Sequence, residues 1–314
     1  MFLRSRKLNV MVATIAVLSL SVQIASVAAA HSSHPSPADH LKRTATTIDR
    51  SPSSIAATFE TMLKKANQIP QAITYFKANL NKLSKDQATA MVLKLENAIL
   101  VQEELIEKRL GNHKVQTALG KVHRDGQRIE QTIALTKDAS LKKLLKEVYA
   151  SGYQLVMSDA YIVPFMDYAV LIPFSSSVSP DIKEYIEIMA AETDRMMIPD
   201  EGNARLHEGL VTRALAMENF TKDYPKSQRT STIKQKFDGY EFTIYYGMNH
   251  TPLFDYNTKI MQPEAVKAYH EILANKEAVH SPFLTQLQKF MNLVKKNKYK
   301  RTSEVDKFIQ AKFG

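Results

Sequence analysis

Residues 233–247 read IKQKFDGYEFTIYYG. Within them, the run Tyr240 to Tyr246 is rich in aromatic and β-branched residues, which favour strands. How this run folds decides whether the second half of the chain contains a sheet. Its apolar residues settle the matter by spacing. Ile233, Phe237, Tyr240 and Ile244 follow one another at intervals of four, three and four. That is one face of an α-helix; a half-buried strand would alternate every second residue. Gly247 supplies a stop. The spacing therefore predicts helix through Tyr246 and an all-α fold class.

Upstream, the same logic recovers a series of helices. Ser51-Pro52 reads as an N-cap with proline in the first turn, leading Ile55, Phe59, Met62 and Leu63 along one face. Pro70 opens a short second helix. Ser84-Lys85-Asp86-Gln87 fits a capping box before a long helix carrying Met91, Leu95, Ile99, Gln102 and Ile106. Gly111 is expected to end that helix in a left-handed conformation, and Asn112 to cap a return helix over 113–136. The two would form a hairpin of about seven turns a side. Asp138 or Ser140 opens the next helix. Residues 159–174, DAYIVPFMDYAVLIPF, hold two prolines in an apolar run and read as a buried irregular segment with one short helix. Ser179-Pro180-Asp181, Pro263, Ser281-Pro282 and Ser303 open further helices. The expected total is about ten. The domain layout reads as signal peptide 1–30, leader 31–51, helical hairpin region 52–150 and C-terminal helical domain 151–314.

Two resemblances follow from particular residues. Ala216, Phe220, Tyr224, Pro225, Ser227, Ile233, Phe237 and Tyr240 have the spacing of a joint between tetratricopeptide-like repeats. In such a joint a helix ends in Phe-x-x-x-Tyr-Pro-x-Ser and the serine caps the next helix. The likeness spans some 25 residues, and the 34-residue consensus does not recur. It implies a helix–turn–helix inside an irregular, TPR-like helical array. More widely, 150–275 resembles a group of uncharacterised secreted helical proteins of Gram-positive bacteria. The shared features are Gly152-Tyr153-x-Leu155, Pro164-x-x-Asp167-Tyr168, the Tyr-Pro-x-Ser joint, and the run from Asn249 to Tyr256. That resemblance implies location and fold, and attaches no activity.

The N-terminus has the composition of an export signal. Arg4, Arg6 and Lys7 precede an uncharged apolar run, and Ala28-Ala29-Ala30 offers cleavage after Ala28 or Ala30. With no cysteine, an exported chain has no disulfides to rely on. Net charge is +7 over 31–158, −7 over 159–208, +1 over 209–282 and +6 over 283–314. For a secreted protein such basic ends point to an anionic wall polymer, a membrane surface or another surface protein as partner, and not to nucleic acid. Only 9 glycines occur, and no Walker A or G-x-S-x-G pattern exists. His207-Glu208 begins a zincin motif but Val211 stands where the second histidine belongs. No cofactor is expected.

Four places carry chemistry. The acidic middle offers Asp167, Glu192 and Asp194 beside Tyr161 and Tyr168. Paired carboxylates in an aromatic cleft suit glycan hydrolysis, one protonated and one ionised. The bland alternative is a solvated helix face and a turn cap. His31 and His34 would hold Cu²⁺ or Ni²⁺ if cleavage left a suitable amino terminus; otherwise they belong to a hydrophilic leader. Lys295, Lys296, Lys298, Lys300 and Arg301 make a basic C-terminal patch for an anionic surface. His250 and Asp255, among Tyr245, Tyr246 and Tyr256, make either a pocket or two separate turns. The overall expectation is an exported binding or scaffold protein without catalysis, and the competing one a wall-active hydrolase.

Overall fold

The computed structural model describes residues 51–158, 161–196, 205–248, 251–274 and 281–313. The stretch read as signal peptide and the leader up to residue 50, with His31 and His34, lie outside them, as does His250. Twelve α-helices occur among the described residues, more than the ten expected, with one two-stranded sheet. The fold is predominantly α. No helix among the described residues is long and apolar enough to cross a membrane.

The first six helices are α1 (Pro52–Leu63), α2 (Ile69–Asn79), α3 (Lys85–Leu110), α4 (His113–Val122), α5 (Ile129–Leu135) and α6 (Ala139–Ala150). Their starts follow local chemistry. Ser51 accepts from the Ser54 amide, Asn112 from Lys114 and Asp138 from Leu141. At α3 both arms of the capping box form: the Gln87 amide donates to Ser84 Oγ, and the Ser84 amide to Gln87 Oε1 at 2.9 Å.

Two expectations fail at the end of α3. Gly111 has φ −68° and is right-handed, because Asn112 restarts a helix at once and no left-handed residue is needed. The return limb over 113–136 is broken into α4 and α5. The break is a turn with Gly126 at φ +70°. It lets His123 go inside, where Nδ1 meets Thr132 Oγ1 at 2.8 Å.

After α6 the chain forms a β-hairpin that the sequence reading did not anticipate: β1 (Tyr153–Ser158) and β2 (Tyr161–Met166), antiparallel, from Tyr153 opposite Met166 to Ser158 opposite Tyr161. Of the irregular segment expected over 159–174, Tyr161–Met166 is strand instead, and the short helix expected within it is a 3-10 helix, Tyr168–Ser177. Gln116 of α4 binds the Ile162 backbone of β2 twice, as donor at 2.8 Å and acceptor at 3.0 Å. The hairpin therefore takes up space beside α3 that a longer return helix would have filled.

The remaining helices are α7 (Pro180–Met196), α8 (Leu206–Asp223), α9 (Thr230–Tyr246), α10 (Pro263–Leu273), α11 (Pro282–Lys296) and α12 (Ser303–Phe313). Residues 240–246 are helical, as the spacing predicts. The reason is a matter of size. Strand propensity spans about 1 kcal/mol, whereas burying one large apolar side chain contributes ~1.5–3 kcal/mol. Ile233, Ile244 and Tyr245 are all fully buried.

Helices α8 and α9 lie antiparallel, with Arg213 of one hydrogen-bonded to Tyr240 of the other. Together they serve two apolar cores. Met217, Phe220 and Ile233, near their joint, enter the first core with α1–α3, the hairpin and α7. Leu210, Val211, Ile244 and Tyr245, at their far ends, enter a second core with α10–α12. The helix–turn–helix implied by the Tyr-Pro-x-Ser joint is present, but Ser227 does not cap α9. Its hydroxyl donates to Asp181 at 2.6 Å, and Arg229 occupies the cap position.

Candidate functional site

The acidic middle is spread over two separate clusters. Asp167 caps the 3-10 helix and is buried. Its Oδ1 accepts from the Ala169 amide and from Thr193, and its Oδ2 from Arg128 and Gln154. Both oxygens are thus fully used by donors. Asp194 is on the far side of the same Arg128 guanidinium, at 3.1 Å. The Arg128 cation stands between these two carboxylates and pairs with both, which favours the ionised form of each over a protonated acid. Glu192 is elsewhere. It accepts from Tyr240 Oη at 2.7 Å and lies 3.5 Å from Arg213. Burial and the Glu192 charge push the Tyr240 phenol up to about 12. The bland reading, a turn cap and a paired helix face, describes these residues better than an acid–base pair.

Tyr161 and Tyr168 are not neighbours in function either. Tyr161 is exposed near the hairpin tip, in a groove with Glu104, Glu107 and Lys108. Tyr168 is buried and donates to Glu96 at 2.8 Å.

The other two places converge. A groove of about 550 Å³ is lined by Phe242 and Tyr246 of α9, by Pro252, Phe254, Asp255, Tyr256 and Lys259 of the α9–α10 connection, and by Arg301 and Asp306 beyond α11. Gly247, at φ +78° and ψ −170°, makes this possible. A Cβ there would lie 2.2 Å from the Leu253 amide nitrogen, so only glycine lets the connection fold back on the end of α9. Asp255 organises a turn of its own: Oδ1 accepts from the Asn257 and Thr258 amides and from Thr258 Oγ1. These bonds hold its carboxyl below the usual range, and Oδ2 has no partner among the described residues.

Arg301 is fixed from three sides. Its amide donates to the Lys259 carbonyl, its Nε to Asp306 at 2.6 Å, and its guanidinium lies 5.9 Å from the rings of both Tyr246 and Phe254. Three non-glycine residues beside it are left-handed: Lys259 (φ 61°), Lys298 (φ 54°) and Tyr299 (φ 58°). Such a conformation costs roughly 1–2 kcal/mol per residue. It is held by bonds from Met261 to Tyr299 and from Tyr299 to Val294, and by a bridge between Ile260 and Lys300. Backbone strain of this kind collects where side chains must be presented.

Of the basic patch, Lys296 pairs with Glu304 and Arg301 with Asp306. Lys259, Lys295, Lys298 and Lys300 form no ion pair among the described residues. Phe242 and Lys259 were missed from sequence. Phe242 had a signal, because it stands four residues before Tyr246 on the side of α9 away from Ile233 and Ile244. The rings stack at 4.4 Å, with Phe242 50% exposed. Tyr256 is 63% exposed. No group of three histidines or carboxylates able to hold a metal occurs among the described residues.

Comparison with family models, with curated proteins and with solved structures finds no match.

Proposed function

We propose that this chain is an exported binding protein of the cell surface, and that the groove between the α9–α10 connection and the α11–α12 loop takes an anionic polymer of sugar or polyol units. One observation carries the reading: exposed aromatic side chains line one groove together with Lys259, which forms no ion pair among the described residues, and with Arg301. Aromatic rings offer apolar faces on which the C–H face of a sugar can pack. Lys259 in the lining, with Lys298 and Lys300 in the adjoining α11–α12 loop, offers charge for phosphate or carboxylate groups, and Asp255 Oδ2 an acceptor for hydroxyls. The export signal read from residues 1–30 and the basic C-terminal charge agree with such a ligand.

The test is binding of the mature chain to purified anionic wall polymer at low and high salt. Point variants serve better than deletion of residues 283–314, because Leu287, Phe290, Met291, Val294, Val305 and Ile309 belong to the second core. Replacing both Lys298 and Lys300 by Ala is expected to weaken binding at low salt by ~1 kcal/mol per lysine, with a smaller loss at high salt. Phe242→Ala and Tyr256→Ala are expected to weaken it at both. Undiminished, salt-insensitive binding in all of these variants would refute the reading.

A further inference from the structure

A second groove, of about 800 Å³, lies between α3 and α6 with the start of α2 at one side. None of its residues lines the first. Two contacts fix how it runs. Tyr153, just after α6, donates to the Ile99 carbonyl, and Arg109 pairs with Glu147 at 2.6 Å. The helices are therefore antiparallel, with Gln102 near Ser151 at one end and Lys142 and Lys143 toward the other. From Lys142 to Ser151 along α6 is about 13 Å at 1.5 Å per residue.

The two ends differ in chemistry. Lys142, Lys143 and Lys146 line the groove and form no ion pair among the described residues, while Glu147 is taken by Arg109. Between the ends Pro70, Leu105, Ile106 and Ala150 give apolar lining, beside the Arg109–Glu147 pair, whose charges offset one another. Leu105 is 47% exposed, and Val101, one turn earlier, is 81% exposed, so apolar surface continues outward from the groove. At the other end Gln102 is only 9% exposed and lines the groove. Its amide makes no hydrogen bond among the described residues. The amide is open to the groove, where water or a polar group of a ligand can bond it.

We infer that this groove binds an acyl-chain amphiphile with an anionic group at one end and a hydrogen-bonding group at the other. The lysines meet the anion, the apolar lining covers the chain, and Gln102 bonds the distal polar atom. Charge complementarity and the span along α6 favour this occupant over a bare phosphate, which would leave the apolar stretch uncovered. The groove's size falls within the usual ~300–1,000 Å³ range of small-molecule sites.

The experiment is calorimetric titration of the mature chain, below micelle-forming concentrations, with 12-hydroxydodecanoate, dodecanoate, dodecanol and butyrate. The expected result is saturable one-to-one binding of 12-hydroxydodecanoate, weaker binding of dodecanoate, and little of the other two. Reversal of Lys142, Lys143 and Lys146 to Glu should weaken both carboxylates by about tenfold or more. Gln102→Leu should erase the advantage of the hydroxyl while dodecanoate still binds. Unfolding midpoints of the variants confirm that each is folded. Equal binding of butyrate, an unaltered triple variant, or a hydroxyl advantage that survives Gln102→Leu would overturn the inference. Competition by anionic phospholipid vesicles separates two sources of the same chemistry, a membrane lipid if they displace the probe and a free acyl anion if they do not.

Discussion

Arg229 and Glu96, 133 positions apart, form a buried bidentate ion pair: Nε and Nη2 of the arginine donate to one carboxylate oxygen at 3.1 and 2.6 Å. The other oxygen accepts from Tyr168 and Tyr185. The arginine also lies over the Tyr185 ring at 5.5 Å. One glutamate thus joins α3, the 3-10 helix, α7 and the start of α9. Removing one partner leaves a charge buried and unpaired. Glu96→Gln or Arg229→Ala should each cost about 3–5 kcal/mol, seen as a lower urea midpoint at unchanged slope. A loss under 1 kcal/mol would show that the pair is replaceable by solvent.

Asp167 and Asp194 share Arg128 but differ in surroundings, so their neutral variants should behave differently. Asp167 is buried with four donors; Asp194 has a side chain 64% exposed. Asp167→Asn is expected to destabilise by ~2–3 kcal/mol, and Asp194→Asn by ~1 kcal/mol or less. Equal effects on thermal or urea unfolding would contradict the structural role given to Asp167.

Gly247→Ala tests the connection that builds the first groove. The residue sits in a region of backbone space that is essentially glycine-only, and the added methyl meets the Leu253 backbone. A loss of at least ~2 kcal/mol is expected, together with weaker polymer binding. A variant with full stability would mean that the connection can leave α9 along another path.

Acid should weaken the fold through two histidines. Burial lowers the pKa of both His123 and His207, with the Asp125 and Glu264 charges acting in the opposite sense. The unfolded chain then binds more protons than the folded one below about pH 6.5. Stability is therefore full above that pH and falls as pH drops toward the folded pKa values. The slope of unfolding free energy between pH 7 and 5 should be shallower in His123→Leu. An identical slope would place the histidine's proton uptake outside the folding equilibrium.

Much of the helix pattern was legible because its signals are local. A cap, a proline or a glycine acts within one turn of itself, so Ser84, Asn112, Asp138 and Ser281 could be read one at a time. The break at His123 was not legible. It depends on Thr132 being placed to receive the imidazole after the chain has turned. The hairpin was missed for a similar reason, since β1 and β2 are stable only with Gln116 and α3 beside them. In the candidate site, Asp255 and the C-terminal cations could be nominated singly. That Asp255 and Arg301 share a groove depends on the Ile260–Lys300 bridge, a pairing of residues 40 positions apart.

The sequence by itself determined that this chain is helical, where most of its helices begin, and that residues 233–247 continue as helix to a glycine stop. Periodicity and capping are short-range properties, and burial reinforces them. Tertiary structure alone decided what the charged side chains do. A carboxylate is a catalyst, a ligand or a cap according to the donors around it. For Asp167, Glu192 and Glu96 those donors include Arg128, Arg213 and Arg229, brought from distant parts of the chain by the packing of two cores.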